Sequence, residues 1–323
     1  MNSLPALTAV PSWRQIRETH MAIQPMIHRT PVLTCRAIND QAGAEIYFKC
    51  ENFQKVGAFK MRGGASAAVR LSDKEKEKGI ATHSSGNHAQ AVARAAQFLG
   101  IPAYIVMPEN APDIKKAATE GYGAEIIPCA PTLEARESTL ESVVKRTGAT
   151  FIHPYNDYNV IAGQATAALE LLEDMPVVPD VMMAPIGGGG LMSGTALTTH
   201  YLYPNTKVIG AEPQEVDDAY RSFHARQLVR NTTIDTIADG LRTNLGDKTL
   251  SIILNHLDDV LLVTEKQIVE AMRLTWERMK IIIEPSCAVP LAAVLNHPDA
   301  FAGKHVGIIL TGGNVDLARL PFL

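Results

Sequence analysis

The sequence predicts an α/β fold built around parallel sheet. Short β-branched runs bounded by Gly, Pro or Asp alternate with helix-length amphipathic segments, and no repeat, low-complexity tract or Pro/Ser-rich linker interrupts the alternation. A length of 323 residues buries a sizeable core and suits one large domain or two intimate ones with a cleft between lobes.

The elements follow in chain order. Strands are expected at Ile46–Cys50, Gly79–Thr82, Ala103–Met107, Glu125–Ile127, Val181–Pro185, Lys207–Ala211 and His305–Thr311. Helices are expected at about 60–71, 87–99, 112–122, 133–147, 159–173, 190–202 and 265–279, the last opened by a Thr264/Gln267 capping box. With no linker, a second lobe must be inset in the first. The reading is a small inserted domain over 80–155 within a large domain formed by 1–79 and 156–323.

Bulk properties narrow the function. Hydrophobic residues at 46% and charged residues at 20% are those of a globular enzyme, and no membrane is called for. A net charge of −4 without a long Lys/Arg run argues against nucleic acid and for a small-molecule partner. Met1 to Trp13 has no basic region followed by a continuous apolar core, so a cytoplasmic protein is expected. The four cysteines and ten histidines form no CxxC or HExxH, which argues against zinc.

Four segments carry chemistry, each at the C-terminal end of an expected strand, where an open α/β sheet binds ligands. Gly187-Gly188-Gly189-Gly190 follows a strand and opens a helix, so several backbone N–H groups can converge on one phosphate, aided by the helix dipole. Lys60, between Phe59 and Met61, is an amine in apolar surroundings, where its neutral form and Schiff-base chemistry are favoured. Ser84-Ser85-Gly86-Asn87-His88 brings hydroxyls and an amide to a helix start, and Thr311-Gly312-Gly313-Asn314 ends the last strand. A flexible turn, a surface lysine, a helix cap supplied by Ser85 or Asn87 and a simple turn are the plain alternatives, taken singly.

In their order and spacing these four segments resemble the signatures of fold type II pyridoxal phosphate (PLP) enzymes, a tryptophan synthase β-like fold of two open twisted α/β lobes with the cofactor in the cleft. Over nearly its whole length the chain is similar to serine racemases and to serine, threonine and 3-hydroxyaspartate dehydratases, as also at His153-Pro154-Tyr155, Ala238-Asp239-Gly240-Leu241 and Ile283-Glu284-Pro285-Ser286.

The resemblance implies that Lys60 holds the cofactor, Phe59 packs on its ring, Asn87 bonds the ring 3′-hydroxyl, Gly187 to Gly190 cradle the phosphate, and Thr311 faces the ring nitrogen. It implies Lys60 as the base at the substrate Cα and Ser85 as a second acid/base on the opposite face. The substrate is expected against Ser84, Ser85, Gly86, Asn87 and His88, with Arg136 and Tyr155 toward its β-substituent and Arg242 and Thr243 facing the same pocket. Glu212, the Val216 carbonyl and Asp218 match a site for Mg²⁺, Ca²⁺ or Mn²⁺, whose plain alternative is an exposed acidic helix start. The implied activity is dehydration and deamination of serine or 3-hydroxyaspartate, with serine racemisation, by a homodimer. A short catabolic threonine dehydratase and, from a different class, a non-catalytic phosphate-ligand binding protein are the alternatives.

Overall fold

The computed structural model describes residues 4–111 and 113–322, without the side chain of residue 114. Residues 1–3, 112 and 323 of the expected ranges therefore lie outside the described residues. The strands are β1 (Val32–Leu33), β2 (Glu45–Cys50), β3 (Ile80–His83), β4 (Ala103–Pro108), β5 (Glu125–Cys129), β6 (Thr150–Phe151), β7 (Val181–Pro185), β8 (Lys207–Pro213), β9 (Asp259–Val263) and β10 (His305–Leu310). The helices are α1 (Trp13–Ile23), α2 (Arg36–Ala42), α3 (Lys60–Val69), α4 (Asp73–Lys78), α5 (Asn87–Leu99), α6 (Asp113–Glu120), α7 (Leu133–Thr147), α8 (Tyr158–Asp174), α9 (Gly190–Leu202), α10 (Asp218–Ala225), α11 (Asp247–His256), α12 (Glu265–Met279), α13 (Pro285–Asn296) and α14 (Pro298–Phe301).

Two sheets result. The larger runs β1-β2-β10-β7-β8-β9 and is parallel apart from the β1–β2 edge; the smaller runs β5-β4-β3-β6 and is parallel throughout. Parallel strands are covered on both faces, which is why β7 is buried along its whole length and reads as a continuous apolar run. One face of the larger sheet packs on α2, α12 and α13 through Ile38, Ile268, Met272 and Leu291, the other on α8, α9 and α11 through Leu171, Met192 and Ile253. The smaller sheet packs on α3 and α5 through Ile105, Met61 and Val92, and on α7 through Val106 and Leu140.

Local chemistry fixes the helix starts. Thr264 accepts from the Gln267 N–H, and the Gln267 side chain returns the bond to the Thr264 N–H at 2.8 Å, as the spacing predicted. α8 begins at Asp157, whose carboxylate accepts from the Asn159 N–H at 2.7 Å. No helix among the described residues is long and apolar enough to cross a membrane.

A buried ion network ties α3 to its surroundings. The Arg62 guanidinium, fully buried, donates to both oxygens of Glu51 at 2.7 and 2.8 Å and to both of Glu170 at 2.9 and 2.7 Å. Lys49, also buried, meets Glu170 at 2.8 Å. The end of β2, α3 and α8 are thus fastened by charges whose remaining hydrogen bonds are satisfied, the condition for holding ions out of water.

Candidate active site

Lys60 opens α3, and the turn before it is fastened to the end of β10. The Phe59 N–H donates to the Thr311 carbonyl at 2.9 Å, the Gly313 N–H donates to the Gly57 carbonyl at 3.0 Å, and Ala58 pairs with Gly312. Gly57 is required here: its φ is +68°, and a Cβ would lie 2.6 Å from Oδ1 of Asn314. The Lys60 amine donates to the Pro154 carbonyl at 2.9 Å and lies 5.1 Å from the centre of the Phe59 ring. Burial pulls its pKa down to about 8, against the opposing field of Glu284. An amine with that pKa is available as nucleophile and base near neutral pH.

Glu284 precedes α13, and its local sequence assigns it no role. Asn87 Nδ2 donates to its two oxygens at 3.0 and 3.2 Å, and Asn314 Nδ2 donates to Asn87 Oδ1 at 2.9 Å and to the Val56 carbonyl at 2.7 Å. One chain of bonds therefore joins the entry to α13, the start of α5, the exit of β10 and the turn before Lys60. Burial, and then the nearby Asp239, pushes the Glu284 carboxyl up to about 7. The available signal was an ionisable residue between Ile281-Ile282-Ile283 and Pro285, since an acid in an apolar run invites a perturbed pKa.

The Ser84 to His88 segment forms the β3–α5 junction. Gly86 takes the N-cap position and no side chain caps the helix, so the expected alternative of a Ser85 or Asn87 cap does not form. A Cβ on Gly86 would meet nothing within 4 Å. The first-turn N–H groups of α5 are thereby left for an anion. His88 turns inward instead: its Nε2 lies 3.0 Å from the Ile152 carbonyl and its Nδ1 is buried without a partner. Burial, with Lys60 second, lowers its pKa to about 3, so its ring is a neutral wall.

The glycine loop joins β7 to α9. A Cβ on Gly188 would lie 2.2 Å from the Tyr155 ring, one on Gly189 2.7 Å from Leu245, and one on Gly187 3.1 Å from the Leu241 Cα. Close packing against 241–249 and Tyr155 thus demands glycine as firmly as the anion-binding argument does. Gly189, with φ +84°, is the N-cap of α9, and no side chain caps that helix either. Thr311 is buried with its Oγ1 unpaired, a polar atom that calls for a partner.

Residues 23–312 match the family described as pyridoxal-phosphate dependent enzyme. The chain belongs to this PLP-dependent family. It is 48% identical to the beta-hydroxyaspartate dehydratase of Paracoccus denitrificans, over 97% of this chain and 99% of the relative. It is 46% identical to the L-threo-3-hydroxyaspartate ammonia-lyase of Saccharomyces cerevisiae, over 97% and 96%. The crystal structure of serine racemase from Dictyostelium discoideum superposes with a TM-score of 0.91 at 49% identity, over 96% of this chain and 100% of that one. The architecture is the fold type II arrangement expected of such PLP enzymes.

The remaining expected residues of this PLP enzyme fall into three groups. Tyr155 and Thr243 come together, their hydroxyls hydrogen-bonded at 3.0 Å, with the Tyr155 ring edge-on to His153 at 4.6 Å. Arg136, in the first turns of α7, has a buried Nε without a partner and forms no ion pair among the described residues. Arg242, in contrast, is exposed, and its guanidinium donates to the Thr236 carbonyl, 2.8 Å from Nε, within its own loop.

Glu212 at the end of β8 and Asp218 at the start of α10 are both buried; Glu212 accepts from the Ala219 and Tyr220 N–H groups, and Asp218 from the Leu245 N–H and Asn231 Nδ2. An exposed acidic helix start is therefore not what forms. Burial and then Asp218 raise the Glu212 pKa, and burial raises that of Asp218 to about 6. Val216 lies between them in a short 3₁₀ turn.

Proposed function

We propose that this chain is an ammonia-lyase that converts a small 3-hydroxy amino acid, 3-hydroxyaspartate or serine, to a 2-oxo acid and ammonia, with serine racemase activity at the same site. The observation that carries the reading is the Lys60 amine, its pKa lowered to about 8, on a turn hydrogen-bonded to Thr311. Pyridoxal phosphate fits these residues. Thr311 Oγ1 is a buried polar atom in want of a partner, as a hydroxyl facing the ring nitrogen requires. Gly187 to Gly190 would hold the phosphate, Asn87 the ring hydroxyl, Phe59 the ring face, and Lys60 the aldehyde carbon. Bound there, the cofactor supplies an electron sink for the pair released when the substrate Cα loses its proton.

The protein groups do the rest. The uncapped start of α5, at Ser84 to Asn87, binds the substrate carboxylate and fixes the Cα–H bond toward Lys60. Lys60 takes the Cα proton as a neutral amine, the β-hydroxyl leaves with a proton as water, and hydrolysis of the released enamine gives the oxo acid and ammonia. Ser85, on the opposite face, exchanges a proton at Cα and opens the racemisation route. Thr311 would meet the ring nitrogen with a neutral hydroxyl that does not protonate it, so the bound cofactor would be a weaker electron sink than one held by an acid. Arg136, whose buried Nε lacks a partner among the described residues, is the group we assign to a second substrate carboxylate. That favours 3-hydroxyaspartate, in keeping with the names of two relatives.

The reading extends to a divalent ion, Mg²⁺, Ca²⁺ or Mn²⁺, at Glu212, the Val216 carbonyl and Asp218. Two buried carboxyls, both pushed toward their protonated forms by burial and Glu212 also by the nearby Asp218, suit a hard cation with oxygen ligands and retained water. It includes a cytoplasmic homodimer, supported by the family resemblance, and an inserted lobe over 80–155, supported by the separate four-stranded sheet drawn from those residues. The test is 2-oxo acid formation from L-serine, D-serine, L-threonine and the 3-hydroxyaspartate isomers, with and without Mg²⁺. Turnover of threonine alone would move the enzyme to the threonine dehydratases. Turnover of none, or an active and yellow Lys60→Ala variant, would overturn the assignment.

A further inference from the structure

Behind the glycine loop runs a strap, residues 241–249. Leu241 abuts Gly187, Leu245 and Thr249 abut Gly189, and Thr243 holds the hydroxyl of Tyr155, whose ring lies on Gly188. The C-terminal part of the strap is held by Asn156, which bonds Asp247 and the Lys248 N–H; its middle, at Thr243 to Leu245, is held by one buried carboxylate and one amide. Asp218 accepts from the Leu245 N–H at 2.8 Å through Oδ2 and from Asn231 Nδ2 at 2.7 Å through Oδ1. Asn231 Nδ2 also donates to the Thr243 carbonyl at 3.4 Å, and the Asn231 N–H donates to Asn244 Oδ1 at 2.6 Å. Asn231 therefore touches the residues on either side of the Thr243–Asn244 peptide and the acid that holds Leu245.

We propose that Asn231 is a positioning residue for the phosphate cradle, linking it to the acidic pair Glu212/Asp218. It fixes Thr243, and through it Tyr155, against Gly187 to Gly190, so the backbone N–H groups of the loop are held in one arrangement before an anion arrives. Preorganisation of this kind lowers the ordering cost of binding. The second half of the inference rests on the metal reading above: a cation held by Asp218 stiffens the same strap. Metal and phosphate then raise each other's affinity by the same factor, as linkage requires.

Full-length wild type, Asn231→Ala and Thr243→Val, each freed of cofactor, are titrated with pyridoxal phosphate and, separately, with pyridoxal, which lacks the phosphate. In the absence of metal, Asn231→Ala is expected to raise the Kd for pyridoxal phosphate about tenfold, the loss of roughly one hydrogen bond to a charged group, and to leave the Kd for pyridoxal within about twofold. Thr243→Val, which keeps the Asp218 contacts, shifts the same ratio in the same direction and supplies the test if the first variant does not fold. Equal weakening of both ligands, or no change in either, would overturn the positioning role. With Mg²⁺ added and its binding measured calorimetrically, wild type is expected to tighten on pyridoxal phosphate and Asn231→Ala is not. Mg²⁺ that binds wild type without tightening it overturns the coupling; Mg²⁺ that does not bind overturns the metal reading and the coupling together, and the metal-free comparison stands on its own.

Discussion

The Glu284→Gln substitution removes a carboxyl that the fold holds nearly out of water. Its folded pKa of about 7 lies roughly 2.5 units above the ordinary 4.5, and at ~1.4 kcal/mol per unit the ionised form costs about 3 kcal/mol of stability. The sign follows from proton uptake. The folded state binds the proton more tightly than the unfolded state, so stability is greatest below the unfolded pKa, falls as pH rises between about 4.5 and 7, and levels off above. The amide of the variant has no such titration. Urea unfolding of cofactor-free wild type and variant at roughly pH 5.5 and roughly pH 8.5 should therefore show the gap moving by about 2 kcal/mol in favour of the variant at the higher pH. Lys60 titrates in both proteins; without the Glu284 charge its pKa falls further in the variant, which widens the gap in the same direction. Parallel pH dependences would refute the placement of a buried, proton-binding acid between Asn87 and Gly312.

Lys60, with its pKa lowered to about 8, should take up pyridoxal phosphate at a rate that climbs with pH and flattens just above pH 8; stopped-flow absorbance that still rises beyond about pH 10 would contradict the burial argument. Gly188→Ala drives a methyl into the Tyr155 ring, where 2.2 Å is available, and should cost about 1–3 kcal/mol in thermal unfolding together with weakened cofactor retention. Arg62→Met leaves Glu51 and Glu170 buried without their counter-ion and should destabilise the chain by about 3–5 kcal/mol, read by urea unfolding. Arg136→Ala should raise KM for 3-hydroxyaspartate about tenfold or more while altering KM for serine little; steady-state assays that shift both equally would remove Arg136 from the β-carboxylate.

The parts of the fold that were readable in the sequence are those where a local pattern and the final environment agree. β7 and α9 flank four glycines, and the apolar run Val181–Pro185 needs no knowledge of its neighbours to read as a buried strand. α8, expected over 159–173, is Tyr158–Asp174, and α5 and α12 fall where their periodicity put them. β1 and β6 were not foreseen because two-residue strands are defined by their partners rather than by propensity. β9 was passed over although Val260 to Val263 is apolar, and α13 was obscured by Pro285 and Pro290, of which only the first suits a helix start. At the site, Lys60, the glycines and Thr311 stood out in sequence. Glu284 and Asn314 have no role legible in sequence, since their significance lies in bonds to Asn87, some two hundred residues away. The Arg62 network escaped for the same reason: nothing near Arg62 in sequence reveals Glu170.

The pairing of β10 between β2 and β7 has a consequence for biosynthesis. The Asn314 side chain reaches the Val56 carbonyl across 258 positions, so the early half of the cofactor pocket emerges from the ribosome long before the half that completes it. Until β10 is made, β2 lacks its neighbour on one side, and the Phe59 turn lacks the Thr311 carbonyl that seats it. A sheet closed by its last strand in this way forms more slowly than the local helices around it.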